Sequence, residues 1–504
     1  NRLVIGLNMC SVPESSSRKV QYLAGFCVSF AFTFTGAVLS WPSPAIPKFK
    51  NGDANVQITD EQSSWVVALC PLGALLGCYI GQVLNEKVGR RRTILASVLP
   101  GLIGAVLILL TKRPWLMCIA RATIGVGTGI TAVVSMVYIT EIADKEIRGA
   151  LGMLVQVMMN TGGLLVYGIG PFVSYTALNC IVLSVSILYG LACLWVPESP
   201  YYHLKDGRLT QAKKEYMFIK GTKDDKWASE QIAIMRSHVL ESMANKTTVK
   251  ELLTNIRYRK AIYIVAGLKI LQYMTGTCAI QAYLEPIFRQ SSSTSGPYVS
   301  IIYGFVQLGA GISATFLTSY IGRRVLMLTS SIGVALSLTS VGIYFFLQDY
   351  CQLSPETLSS VSVVPLIELF PINVKTVASS LATMMAAVLN FFVIKSYQGI
   401  KDIFGHYTVF WSFASIAFFG IFFIYFFVPE TKGKTLEEVQ DNMNADAVEM
   451  EQLNKEYEKP RRRSMFKLIH NLTESKDSLT KSGLLSICDE NDLFNTNLKY
   501  MKTI

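Results

Sequence analysis

Long apolar runs, each close to twenty residues, alternate with polar joints along most of the chain. They cover residues 20–39, 64–84, 94–110, 115–140, 149–173, 178–196, 261–282, 298–321, 325–347, 377–396 and 407–428. About twenty residues of apolar helix cross a hydrocarbon layer ~30 Å thick. Within such a layer only a helix or a closed barrel satisfies its own backbone groups. These runs predict eleven membrane-spanning helices. A twelfth is shorter: "SVSVVPLIELFPINVK" at 360–375 reads as the last part of a span, and the "QDYCQLSPETLS" before it is polar.

The 504 residues are 51% hydrophobic and 16% charged, and the mean hydropathy is +0.37. A soluble domain carries about 25% charge, so the composition agrees with an all-α polytopic membrane protein. The first run follows Arg2, Arg18 and Lys19 and ends in "SWPSPAIP", without a small-residue cleavage site. It is expected to stay as an anchor rather than leave as a signal peptide. With twelve crossings and both termini cytoplasmic, most Lys and Arg outside the spans fall on the cytoplasmic side, as the positive-inside rule requires. That placement explains the net charge of +11 without a nucleic-acid partner. The ten cysteines are scattered, mostly inside runs and with no C-x-x-C spacing, and read as packing residues. His203, His238, His406 and His470 form no cluster in the sequence, so neither a metal nor another cofactor is expected. No nucleophile–base pairing and no phosphate loop points to an enzyme.

Short motifs at the span ends repeat. "EKVGRRR" (86–92) after the second span returns as "IGRR" (321–324) after the eighth. Glu141, with Arg148 seven residues on, returns as Glu368 with Lys375. "PESP" (197–200) returns as "PETK" (429–432), and the three offsets are 233, 227 and 232 residues. Two six-helix bundles in parallel repeat are predicted, the arrangement of a transporter that rocks about a central site. Gly89 and Gly322 permit tight turns, and Arg90, Arg91, Arg323 and Arg324 follow as multi-donor forks. Glu86, Glu141, Glu198, Glu368 and Glu430 are acidic groups at the same depth. With Arg148 they form a candidate cytoplasmic latch; anchoring and helix capping is the plainer alternative.

These motifs, with "PESPYYHLKDGR", "VPETKGKTLEEV", "VYITEIADKEIRGALG" and "VASSLAT", resemble the sugar porter family of the major facilitator superfamily. The likeness runs from about residue 21 to 440 and is nearest the family's facilitated trehalose and hexose transporters. It implies a sugar held by neutral amide and hydroxyl side chains, which offer both donors and acceptors. Gln156, Gln272, Gln307 and Tyr283 match that pattern; a helix–helix hydrogen bond is the alternative for each glutamine. The chain also departs from the pattern. Tyr273 and Cys278 stand where the family has Gln and Asn, Ala282 replaces a Tyr, and Ala386–Ala387 replaces Asn–Trp. Ser319 replaces the acid of the second GRR motif. Lys269 lies about 12 Å into the seventh span by helix rise; it either snorkels back to the cytoplasm or biases the site toward an anionic substrate. The first span has no acid, which favours a passive uniporter over a proton symporter.

The division expected is 1–19, a cytoplasmic N-terminus; 20–196, the first bundle; 197–260, cytoplasmic linker helices; 261–428, the second bundle; and 429–504, a mostly disordered tail. The linker carries 13 basic and 8 acidic residues. In the tail, "EKPRRRSMFKLI" (458–469) either touches anionic lipid, with Ser464 open to phosphorylation, or is simply solvated. The repeat gives a ruler for the short segment: Gly89 to Glu141 is 52 residues, Gly322 to Glu368 is 46. Six residues make about 9 Å of helix. "SSVSVV" stands where the resemblance implies a Gly-Pro-x-Pro-Trp stretch. Helix 10 is expected to be short or distorted. The expected activity is facilitative transport of a neutral sugar across the plasma membrane. A non-transporting receptor, or a carrier of another small solute, is the alternative.

Overall fold

The computed structural model describes residues 17–54, 56–144, 146–244, 256–291, 296–351 and 380–430. They fall in one compact unit, apart from the first residues of the helix that opens at Ile256, which group separately. The described residues are helical, with no strand among them. Helix 10 (360–375), Glu368 and the tail beyond 430 lie outside the described residues.

The first bundle runs α1 Lys19–Ser40, α2 Pro42–Lys50, α3 Asp60–Lys87, α4 Arg90–Leu110, α5 Pro114–Ile142, α6 Arg148–Ile169 and α7 Tyr175–Leu194. Three polar-faced helices follow: α8 Pro200–Lys205, α9 Leu209–Lys220 and α10 Asp225–Ala244. The second bundle holds α11 Ile256–Met274, α12 Thr277–Ala282, α13 Leu284–Ser291, α14 Gly296–Tyr320, α15 Arg323–Cys351, α16 Ser380–Phe404 and α17 His406–Phe427. Among the described residues nine helices are long and apolar enough to cross a membrane, α1 and α2 counting as one. They coincide with the predicted spans one to six, eight, nine and twelve. The helices α11–α12 and α16 run through the seventh and eleventh.

Two differences from the expected spans have local causes. The first span does not stop at residue 39 but passes Trp41 and continues to Lys50, with Pro42 opening a new helix whose first position suits its fixed φ. The seventh breaks at Gly276, whose φ of +78° is left-handed and ends α11. Side chains cap the starts of α3 and α7, the latter through Ser174. Thr59 and Gln62 form a reciprocal capping box at the start of α3, with Asp60 and Glu61 in its first turn.

In lipid, helices associate through close packing of small residues rather than through the hydrophobic effect. α3 lies along α5 and α1 along α6. A Cβ on Gly36 would land on the Met159 carbonyl, and one on Gly162 on the Thr33 carbonyl. The α1–α6 contact is therefore backbone against backbone from both sides. Gly162→Val should lower stability by about 3 kcal/mol or more, read as a fall in melting midpoint of the purified protein. Gly168→Ala, with no atom within 4 Å of the added methyl, should melt at or above the parent.

Candidate functional site

One face of the bundle gathers the arginines. Gly89, with φ +103°, turns the chain from α3 into α4. The exposed N-terminus of α4 is covered by the Glu198 carboxylate, which accepts from the backbone N–H of Arg90 at 2.9 Å and of Arg91 at 3.1 Å. A negative group there complements the helix dipole. A Cβ at Gly89 would crowd Glu198 Oε2 at 2.7 Å, and the left-handed φ of this turn favours glycine. The Arg90 fork grips Glu141, with Nε donating to Oε2 at 2.9 Å and Nη2 to Oε1 at 2.7 Å. Ser199 Oγ donates to the same carboxylate at 2.5 Å, and Arg91 Nη2 donates to the Leu194 carbonyl at 2.9 Å.

The second bundle repeats the plan. A Cβ at Gly322 would meet Glu430 Oε2 at 2.5 Å. Arg324 donates to the Tyr425 carbonyl and lies 5.4 Å from that ring's centroid, the counterpart of Arg91 on Leu194. The remaining members act locally: Arg148 Nη2 donates to the Ala143 carbonyl at 3.3 Å, and Glu86 accepts from Gln82 at 3.3 Å. The Arg323 side chain and Glu368 lie outside the described residues. The contacts described here tie helix ends together within a bundle and do not run from one bundle to the other. Asp144, in the turn after α5, accepts from Lys220 of α9 and from Gln21 of α1 at 3.0 Å. Arg18 pairs with neighbouring Glu146 at 2.5 Å. The cluster fastens α9 to this face.

Between the bundles the amides meet. Gln156 Nε2 donates to Asn160 Oδ1 at 2.9 Å, and Asn160 Nδ2 donates to the Gln307 backbone carbonyl at 3.0 Å. The α6-to-α14 contact is thus a two-step relay at mid-depth. Tyr167 adds a hydrogen bond to the Gln281 carbonyl at 3.0 Å and an edge contact with Tyr303 at 5.8 Å. Gln272, in the last turn before the break at Gly276, accepts on Oε1 from Lys269 Nζ at 3.1 Å. The ammonium also lies 5.8 Å from the Tyr273 ring centroid. Lys269 therefore reaches forward along α11, not back toward the arginine-rich face. Tyr283 sits apart, stacked on Tyr397 at 4.9 Å. It lines a cavity of about 310 Å³ at the opposite face with Lys50, Asp60, Arg289, Lys401 and His406.

Three further polar residues stand inside apolar runs, where an ionisable or amide group is a functional candidate by default. Asn160 is the relay above. Lys395 of α16 crosses to the first bundle, donating to Ser64 Oγ at 2.8 Å and lying 4.2 Å from the Trp65 ring centroid. Arg121 of α5 donates to the Val38 carbonyl at 3.1 Å and the Val66 carbonyl at 3.3 Å, with its guanidinium 5.1 Å from the Trp41 ring centroid. Val38 lacks its helical donor because Pro42 stands four residues on; the arginine supplies it.

The family described as sugar (and other) transporters matches residues 20–443. The chain belongs to that family. The facilitated trehalose transporter Tret1 of Bombyx mori is 31% identical to it over 457 residues, 87% of this chain and 90% of its own. Tret1 of Polypedilum vanderplanki is 30% identical over 448 residues, 84% and 88%. The xylose transporter XylE from E. coli, in a partially occluded inward-open conformation, superimposes with a TM-score of 0.66 at 18% identity, covering 81% of this chain and all of that one. The major facilitator superfamily proton:xylose symporter XylE bound to 6-bromo-6-deoxy-D-glucose gives 0.63 at 21%, covering 83% and 99%. The fold is the major facilitator fold, and such family members are transporters, not enzymes.

Two measurements test this geometry. Burial raises the Asp144 pKa, but hydrogen bonds from Lys220 and Gln21 and the charges of Lys220 and Arg18 outweigh it and hold the carboxyl below its ordinary value. The stabilisation is therefore present above the unfolded pKa of about 3.9 and is lost as pH falls through the lower folded value. Asp144→Asn should melt below the parent at neutral pH, and the gap should close in acid. At the opposite face, Lys395→Met removes a cation–π contact worth about 1 kcal/mol that joins the bundles. A Ser63→Cys reporter in the cavity wall should then react several times faster with a membrane-impermeant maleimide.

Proposed function

We propose that this protein carries a sugar down its concentration gradient across the plasma membrane by alternating access, as a uniporter with both termini in the cytoplasm. The observation that carries the reading is the amide relay from Gln156 through Asn160 to Gln307, set between two bundles that repeat each other's end motifs. A sugar needs donors and acceptors at mid-depth between rocking bodies, and this contact offers both. Gln156, Gln272 and Gln307 are the proposed sugar ligands. Tyr283, stacked on Tyr397 at the opposite face, is assigned to the wall of the entry path. The glutamate–arginine sets at Arg90, Arg91, Glu141, Arg148 and Glu198, and at Arg324 and Glu430, are proposed to keep each bundle rigid while it tilts. Neutral trehalose and hexoses are the first substrates to try, because the Tret1 relatives carry trehalose in their name. The absence of an acid in the first apolar run argues for passive transport.

The test is radiolabelled trehalose and glucose uptake in cells whose surface expression is confirmed by external labelling. Saturable, bidirectional flux that survives collapse of the proton gradient is expected, and Gln156→Ala should reduce it tenfold or more. Normal surface expression without flux of any sugar would overturn the reading and favour a receptor that retains the fold. The small residues Cys278, Ala386 and Ala387, in place of the family's larger polar and aromatic groups, suit that second role.

A further inference from the structure

The Lys269 ammonium is an unusual group to find between two bundles that handle a sugar. It belongs to a single helical face with Gln272 and Tyr273, at i+3 and i+4. That face looks across the bundle interface, since Tyr273 lies within electrostatic reach of Cys78 on α3. The side chain is partly buried, and its described contacts are the Gln272 carbonyl at 3.1 Å and the Tyr273 ring. Among the described residues no carboxylate pairs with it. A cation inside a membrane protein normally has a partner.

Donor and acceptor accounting gives the partner's chemistry. An ammonium has three donors and no acceptor, so the Gln272 atom facing it must be the carbonyl oxygen. Among the described residues, two N–H groups of Lys269 and the amide N–H₂ of Gln272 have no acceptor. Tyr273 and Cys278 occupy the positions where an acceptor amide would restore balance, and Cys278 lies within electrostatic reach of the same ammonium. Gln156 and Asn160 on the facing bundle pair with each other and with Gln307. The α11 side of the site is therefore rich in donors and carries one positive charge.

We infer that Lys269 and Gln272 form a subsite for an oxyanion, so that the transported sugar bears a carboxylate or phosphate group at the end facing α11. The inference rests on the transporter reading above and adds to it that sugars bearing an anionic group are preferred over neutral ones. Such a group accepts from both Lys269 and Gln272 in charge-assisted bonds and supplies the missing counter-charge. A neutral hydroxyl leaves the cation uncompensated.

The test compares uptake of radiolabelled glucuronate, glucose 6-phosphate and glucose by the full-length protein reconstituted in proteoliposomes. One of the two anions should exceed glucose tenfold or more at equal concentration, and which one does so distinguishes carboxylate from phosphate. Lys269→Met should lower the anion-to-glucose ratio at least tenfold, and Lys269→Arg should keep it. A ratio near one, or a ratio that Lys269→Met leaves unchanged, overturns the subsite. If no sugar moves, the transporter reading fails, and equilibrium binding to purified protein decides the subsite alone. Saturable glucuronate or glucose 6-phosphate binding that Lys269→Met abolishes upholds it, and no binding of either anion overturns it.

Discussion

The Glu198 carboxylate over the N-terminus of α4 is the contact on which the first bundle's geometry depends. It joins the end of α7 to the start of α4, beside a left-handed turn at Gly89 that leaves it room. With Glu198 in place, Ser199 falls against Glu141 and Arg90 reaches the same carboxylate. Four helix ends are then held by one nearly enclosed ionic knot. Breaking such a pair by removing one partner is costly, because a charge is left behind without compensation. The same seat recurs at Gly322 with Glu430, so both bundles are tied at equivalent helix ends.

Between the bundles the logic reverses. Apolar surface in lipid gives no strong drive to associate, and the described polar links are few: Asn160 to Gln307, Tyr167 to Gln281, the Glu285 N–H to Ser43 at 3.0 Å, and Lys395 to Ser64. They lie at mid-depth or toward the face opposite the arginines. Strong knots inside each body and sparse hydrogen bonds between them are what a rocking motion needs. The break at Gly276 separates α11, which carries Gln272, from α12 and α13, which flank Tyr283 in the cavity wall.

Much of this was legible in the chain because membranes impose simple rules. Span length follows from bilayer thickness, and the repeated Gly-Arg-Arg and Pro-Glu pairs announce two equivalent bodies. Gln156, Gln272 and Gln307 stand within apolar runs, and the resemblance to the family singled them out as candidates. What spacing could not show is which amide crosses the interface: Gln156 and Asn160 share one helical face, and only the neighbouring helix makes Asn160 the bridge. Spacing also left Lys269 undecided between two directions, because a long side chain at mid-span can bend either way. Its choice was settled by the Gln272 carbonyl three residues ahead. Tyr283 was singled out by the resemblance alone; spacing could not show that, beyond the left-handed turn at Gly276, it stacks on Tyr397 in the cavity wall.

The junction of Pro42 and Arg121 is one physical unit. The proline abolishes a donor to the Val38 carbonyl, and a side chain eighty-three positions further along the chain from Val38 replaces it. An ordinary residue at 42 would restore the ladder and leave the guanidinium short of an acceptor. An apolar residue at 121 would leave a carbonyl naked in hydrocarbon. Either change alone is a defect and the two together are close to a repair, so a lineage that loses one should be found to have lost both.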